Sequence, residues 1–563
     1  MHSSLWRHAL LDNFRGLFEV TEGVYQVRGE SLANVTFVEG DTGWIVIDPL
    51  TTVEVARYAL DLLFEQVAER PIVAVIYSHS HSDHFDGVKG MVSGEDVSSG
   101  RVPVMAPRGF TEWVLKEQGR AAEGLPSRNA YLYGELLEPG PGGIVDTGLG
   151  QTIEGGTVTF IEPTDVIGPQ GGARTIDGIE PQFLFAPGED PTGMHCYAPK
   201  YRVLHVADNC YRCLHNVYTI RGAFPRDAMQ WADSVARSLR FEDAEFLVSG
   251  HNWPVFGRDE VRRFLGEQRD AIEFMHDQTL RLMAHGFVPA EIAKAIEFPP
   301  ALARPWHLRG DYGALEHNVR GIYAYYLGGY DGNPATLDRL PPRALARRTI
   351  DYMGGIESVV ERAAADFERG EYRWVAHILD PVLWVEPEHR RARELAAAAH
   401  VQLGYGAENA TWRNAYLTAA KELREGLRPG ADVTVRVDRE TLGELALGQI
   451  ALSELHTRGV RFARDRSTLD RLSSLLDTLP AWFPVAPARP EARRAMSERP
   501  SLPRGRGLSL LEPADWTFRS PSVTGLDASR TSGSGSRTRS RASGSARATS
   551  ARLPARHAPM LPG

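Results

Sequence analysis

Residues 76–87 read IYSHSHSDHFDG and place His79, His81, Asp83 and His84 within six residues. Immediately before them, PIVAVIY (71–77) is a continuous apolar run, the pattern of a strand buried on both faces. A loop at a strand end can aim four side chains at one point, whereas a helix turns positions i and i+2 onto different faces. Three imidazoles and a carboxylate are costly to crowd together without a cation. Two imidazoles plus a carboxylate–imidazole pair suit two zinc ions. Gly87 and Gly90 are expected to give the loop its backbone freedom.

Upstream, YQVRG, NVTFVEG and GWIVIDP are rich in β-branched and aromatic residues and bounded by Gly, Asp and Pro, as strands in series are. Residues 52–68 carry Val55, Tyr58, Ala59, Leu62 and Leu63 on one helical face. The region therefore opens as a β-meander and continues β-α-β, which points to an α+β fold. Further strands are expected over about 144–162, in GIEPQFLFAPG and in YRVLHVADN. From about 258 the apolar spacing becomes helical, and residues 357–425 read as a helix-turn-helix series. Residues 432–485 form a smaller strand-then-helix unit, and after about 496 the chain is Ser, Arg, Gly and Ala with almost no large apolar residues. Such a tail cannot bury enough surface to offset its ordering entropy.

The chain has 563 residues, enough for two or three domains. A formal charge of −9 gives no basic footprint for nucleic acid, so an anionic ligand needs local cations. Only Cys196, Cys210 and Cys213 occur, which is no disulfide framework, and the single C-x-x-C reads as two semi-buried thiols. No apolar run approaches the ~20 residues of a membrane span. The N-terminal MHSSLWRHALLDNFRG lacks the apolar core of a signal peptide, so a cytoplasmic location is expected.

The H-x-H-x-D-H pattern resembles the signature of the metallo-β-lactamase superfamily. That resemblance implies an αββα sandwich with two metals at one edge, His79 and His81 on one zinc and Asp83 and His84 on the other. It implies a bridging carboxylate and a further histidine from later strand ends, which match Asp208 in VLHVADN and His251 in FLVSGHNWP. GLFEVTEGVYQVRG, EGDTGWIVIDPL, SHSHSDHF, LHN, TIRGA, HNWPVFG and HNVRGIYAYYLGGYDGNPA, in that order, resemble the alkyl sulfatases of this superfamily, the dodecyl-sulfate-hydrolysing type. The similarity runs from about residue 4 to about 485. It implies Glu189 of FAPGEDP as a ligand of the first zinc, and Asp208 of Ala-Asp-Asn where that family has a glutamate. It implies a sulfate site with Asn216 and Arg221, and His317 on the sulfate or its leaving oxygen. A planar guanidinium suits sulfate, since it meets two oxygens at once.

The same resemblance implies a catalytic domain over 1–275, a helical dimerisation domain over 276–426 and a shortened sterol-carrier-protein-like α/β domain over 427–495, then the tail 496–563. A homodimer acting on alkyl sulfates is implied, releasing an alcohol and inorganic sulfate by metal-activated water. The alkyl tail is expected in an apolar channel around Tyr131 and Tyr133. Two other readings stay open. Lactonases, thioesterases and β-lactamase-like hydrolases on this scaffold carry a third zinc histidine, and His195 lies in the corresponding interval. A weakly catalytic protein that binds a lipid-like ligand is the other.

Overall fold

The computed structural model describes residues 1–120 and 125–426, so the units expected over 427–495 and 496–563 lie outside the described residues. After α1 (Ser3–Asp12) comes a first sheet of β1 (Gly16–Thr21), β2 (Val24–Arg28), β3 (Val35–Glu39), β4 (Trp44–Ile47), β5 (Ile72–Ile76), β6 (Val104–Pro107) and β7 (Asp165–Ile167), ordered as in the sequence. β1 to β4 pair antiparallel, and β4 to β7 pair parallel. The parallel step needs a crossover, which α2 (Val53–Gln66) provides, capped by the Thr52 side chain accepting from Val55 N. Helices α3 (Gly94–Ser98), α4 (Phe110–Arg120) and α5 (Leu125–Tyr133) follow in the later connections.

The second sheet holds β8 (Gly172–Ala173), β9 (Gln182–Phe185), β10 (Met194–Ala198), β11 (Val203–His205), β12 (Phe246–Val248) and β13 (Val255–Phe256), in the order β13-β12-β11-β10-β9-β8. β11 and β12 are parallel, joined through α6 (Ala228–Ser238). The side-chain period of two sorts each strand between two cores. In β4, Ile45 and Ile47 enter the space between the sheets while Trp44 and Val46 pack beneath α2. In β5 and just after it, Ala74 and Ile76 face the other sheet, and Val75 and Tyr77 face the helices. In the second sheet, Val203 and Val248 face inward, whereas Leu204 and Leu247 pack outward against Trp231 of α6 and Phe264 of α7 (Arg258–Ala284). The result is the four-layer αββα sandwich.

The expected strands over about 144–162 do not form. The segment is extended and buries Ile161, yet it is stitched to loops and a helix end, with Thr159 N donating to Asp86 O and Thr157 N to the Glu54 carboxylate. Its β-rich composition serves side-chain packing rather than a ladder. Gly87 and Gly90 have ordinary negative φ, so freedom is not their role. A Cβ at Gly87 would sit 2.3 Å from Pro49 O and one at Gly90 2.4 Å from Val53 O, so both allow the backbone after His84 to lie against α2 and the turn before it.

The 275/276 division falls inside α7, which runs unbroken. Its first half packs on α6, and its last turns pack on α8 (Pro289–Ala295). Beyond lie α9 (Pro300–Ala303), α10 (Leu315–Leu327), α11 (Pro342–Tyr352), α12 (Ile356–Glu368), α13 (Tyr372–Val385), α14 (Arg390–Gly406) and α15 (Ala410–Glu425). α11 to α15 share a core of Val360, Leu379, Val382, Ala396 and Leu423. No helix among the described residues is long and apolar enough to cross a membrane.

Polar clamps fasten α15 to loops of the sandwich. Arg413 is fully enclosed and donates through Nη2 to Pro141 O (2.7 Å) and Gly143 O (3.1 Å). Asn409 Nδ2 donates to Gly310 O (2.9 Å) and Tyr312 O (2.6 Å). Replacing Arg413 with Met strands buried carbonyls, so R413M should cost about 2–4 kcal/mol of stability in a denaturant titration. An unchanged midpoint would show that the clamp is dispensable.

Candidate metal and anion site

Four strand ends converge at one edge of the sandwich. His79, His81, Asp83 and His84 follow β5, with Ser82–His84 wound as one 3-10 turn. Glu189 follows β9, Asp208 follows β11 and His251 follows β12. Because β11 and β12 run parallel, their carboxyl ends deliver Asp208 and His251 side by side.

Buried supports aim each ring. Asp48, just after β4 in a left-handed conformation (φ 58°), accepts from Ser78 N (2.7 Å), Ser78 Oγ (2.6 Å) and His84 Nδ1 (3.1 Å). His251 Nδ1 donates to Leu32 O (2.9 Å), which can only accept, so Nε2 faces the site. Asp208 Oδ2 then lies 3.0 Å from His251 Nε2, 3.4 Å from His84 Nε2 and 3.7 Å from His79 Nε2. On one side, Glu189 Oε2 is 3.0 Å from His81 Nδ1 and 3.7 Å from His79 Nε2. On the other, Asp83 Oδ2 is 3.3 Å from His84 Nε2 and 3.4 Å from His251 Nε2.

These spacings suit cation ligands. Bonds of about 2.0–2.2 Å in a tetrahedron put ligand atoms about 3.3–3.6 Å apart. Glu189 Oε2, Asp208 Oδ1 and His84 Nε2 are buried and make no hydrogen bond, an arrangement that a protein core rarely tolerates. His79, His81, Glu189 and Asp208 form one group that could hold an ion, and Asp83, His84 and His251 form a second, with Asp208 Oδ2 reaching both. Acids and bases alternate through the cluster. Burial alone would lower the His251 imidazole, yet Asp208 and Asp83 raise it to about 10. Burial would raise Asp208, and the surrounding imidazoles hold it well below the usual carboxylate range.

A cavity of about 180 Å³ opens over this cluster, lined by Arg221, Arg226, Tyr133 and Tyr312 besides the ligands. Arg221 and Arg226 make it cationic on one wall despite the acidic chain. Arg226 Nη2 donates to Glu189 Oε1, while its Nη1 donates to Asn216 Oδ1 (2.6 Å) and Asn216 O (2.5 Å). A second cavity of about 200 Å³ adjoins the first through His81, Glu117 and Arg226, and its other wall combines Trp113 and Phe224, stacked at 5.3 Å, with Asp190, Asp227 and Gln230.

The structure brings together His79, His81, Asp83, His84, Glu189, Asp208, His251 and Arg221, all expected from the sequence. It does not bring Asn216 or His317 to the cavity wall. Asn216 is buried behind it, bracing Arg226. His317 sits on α10 stacked on Tyr218, with Trp412 at its edge, because the helix register turns it away. Tyr133 lines the cavity, but the Tyr131 hydroxyl donates to Glu422 on α15. His195, the alternative third histidine, is no ligand. Its Nε2 accepts from Asn209 Nδ2 (2.8 Å) and its Nδ1 faces Ser238 Oγ (2.6 Å). Asp48, Arg226, His215 and Tyr312 escaped sequence reasoning. Only Asp48, at the end of the apolar WIVI strand, carries a local signal.

Comparisons with known proteins agree in order and extent. A family model described as the metallo-beta-lactamase superfamily matches residues 28–251, and one described as alkyl sulfatase dimerisation matches 288–426. An alkyl/aryl-sulfatase of Saccharomyces cerevisiae is 45% identical over 430 residues, 76% of this chain and 67% of the relative. A linear primary-alkylsulfatase of Pseudomonas sp. is 37% identical over 555 residues, 86% of this chain and 82% of the relative. The solved structure of a stereoselective inverting sec-alkylsulfatase from Pseudomonas sp. superposes with a TM-score of 0.78 at 37% identity, covering 86% of this chain and 88% of that one.

Two outcomes test this geometry. A Cβ on Gly250 would lie 2.2 Å from Asp208 Oδ1 and 2.5 Å from His84 Cε1, so G250A should weaken divalent-metal binding about 10–100-fold by calorimetry. Burial, with His205 and Arg237 nearby, pushes His195 down to about 3. The unfolded imidazole takes a proton near 6.5 while the folded one refuses it, so stability is full above that pH and falls as pH drops towards 3. H195Q should therefore lose less stability than the parent between pH 7.5 and 4.5, and equal losses would show that His195 is not responsible.

Proposed function

The chain belongs to the alkylsulfatase family of the metallo-β-lactamase superfamily, and from that membership we propose that it hydrolyses alkyl sulfate esters with two zinc ions in the strand-end cluster. It is an enzyme, a hydrolase of sulfate esters. The observation that carries the proposal is Asp208 Oδ2 lying within 3.7 Å of three imidazole nitrogens beneath a cavity walled by two arginines.

His79, His81 and Glu189 would hold one ion and Asp83, His84 and His251 the other, with Asp208 shared. When bound, such ions supply a water whose pKa falls from about 16 to about 7 and an electrophile for the ester oxygens. The chain's own residues do the rest. Arg221 offers a guanidinium fork to the sulfate oxygens, and its charge is not tied to any carboxylate contact within the described residues. Arg226 adds a second cation and, through its bond to Glu189, holds that carboxylate in place. Asn216 acts from behind by fixing Arg226. His317 takes no part at the sulfate, since it does not line the cavity. The stacked rings of Trp113 and Phe224 in the adjoining cavity receive the hydrocarbon end of the ester. Asp in place of glutamate at position 208 shortens the bridge by one methylene, and the 3.0–3.7 Å spacings remain compatible with a shared ligand. The region over 288–426 supports a homodimer.

The test is release of inorganic sulfate from alkyl sulfates of graded length, with metal analysis on the same sample. R221A should lower sulfate release about 10²–10³-fold with zinc content unchanged. Loss of zinc from that variant would argue against its role as an anion contact, and absence of sulfate release from every ester by the parent would sink the proposal.

A further inference from the structure

A second group of buried ionisable side chains lies where α1 meets the loops around residues 146 and 311. His8 and Asp12 come from one face of α1, Asp146 from the loop after α5 and Asp311 from the turn before α10. Their exposures are 1%, 7%, 0% and 2%. His8 Nε2 is 3.2 Å from Asp12 Oδ2, and His8 Nδ1 is 3.7 Å from Asp311 Oδ2. One ligand atom from each of His8, Asp12 and Asp146 falls within 4.8 Å of the other two.

The surrounding protein satisfies only part of this cluster. Gly148 N donates to Asp146 Oδ1 (2.5 Å), Asn252 Nδ2 donates to both oxygens of Asp12 (3.1 Å each), Ser4 Oγ donates to Asp311 Oδ1 (3.1 Å), and His8 Nε2 meets Gly148 O (3.0 Å). Asp146 Oδ2 and His8 Nδ1 make no hydrogen bond at all, although both are enclosed. Ionised or protonated, Asp146 therefore has one oxygen without a partner, which is expensive in a core. Burial alone would lower His8, yet Asp12 and Asp311 raise it to about 10, and burial holds Asp146 well above the usual carboxylate range, so protons occupy the cluster where a divalent cation would displace them.

We propose that His8, Asp12 and Asp146 bind a third divalent cation, distinct from the strand-end pair. Imidazole together with carboxylates selects zinc or a neighbouring first-row transition metal over the all-oxygen coordination of calcium and magnesium. The ion has a structural task. Asp12 accepts from Asn252, which follows His251 in the chain and adopts a left-handed conformation (φ 58°). A cation on Asp12 pins α1 beneath the loop that presents His251.

Zinc per chain, measured by plasma mass spectrometry after loading with zinc and gel filtration, tests this in the full chain. The parent should carry three equivalents. Disabling the strand-end cluster with H79A and H84A together should leave one, and adding H8Q or D146N should remove it. D146N alone, shown to be folded by circular dichroism, should lose one equivalent. Two equivalents or fewer in the parent, no zinc in the doubly disabled chain, or full zinc in folded D146N would each overturn the proposal.

Discussion

One carboxylate oxygen among three imidazole nitrogens is the constraint around which the sandwich half of this chain is arranged. Asp208 is buried, and its ionised form is stabilised only because His79, His84 and His251 surround it. Such a grouping is too polar for a core and too crowded for solvent. It persists because each member is fixed by a separate part of the fold: a parallel strand pair for Asp208 and His251, a strand end braced by Asp48 for His79 and His84, and an arginine for Glu189. The two sheets, by facing each other, bring β5 of one and β9, β11 and β12 of the other to a common edge. Ligands from separate sheets hold their mutual distances because the interior between them, Ile45, Ile76, Val203 and Val248 among others, is close packed.

The surroundings of the cluster are of two kinds. The cavity wall combines guanidinium groups with phenols, and the adjoining cavity carries the stacked rings of Trp113 and Phe224. An ester with a compact doubly liganding anion at one end and hydrocarbon at the other matches that division. The helical region is not a separate appendage to this site. Asn409 on the approach to α15 holds the carbonyl of Tyr312, a wall residue, and Asn414 of α15 donates to Asp146 O, beside the α1 cluster. Changes in the helices can therefore reach the cavity through hydrogen bonds rather than through diffuse flexibility.

Much of the site was legible because its ligands obey local rules. A dense His/Asp run after an apolar strand, and an acid or histidine just beyond a strand, are patterns that short-range sequence carries, and His79, His81, Asp83, His84, Asp208 and His251 follow them, whereas Glu189 was reached only through resemblance to a family. The strands and helices with a clear period of two or 3.6 were equally readable. Failures have a common cause. Residues 144–162 are strand-like in composition but find no partner edge, and pairing is a non-local event. His317 carries the right chemistry in a matching segment, yet the rotation of α10 decides which way it faces. Arg226 has no motif at all; its importance comes from standing beside Glu189, 37 residues away in the chain.

The amino-acid sequence by itself determined the α+β class and the strand-end run of His79, His81, Asp83 and His84, since these depend on neighbours within a few residues, while Glu189 and Arg221 were legible only through resemblance to a family. Only the tertiary structure decided that Arg226 braces Glu189, that Asn216 and His317 stand off the cavity, and that α1 closes a second acidic cluster under His251. Those outcomes rest on distances between segments far apart in the chain, and such distances are set by how sheets and helices pack, which no local pattern encodes.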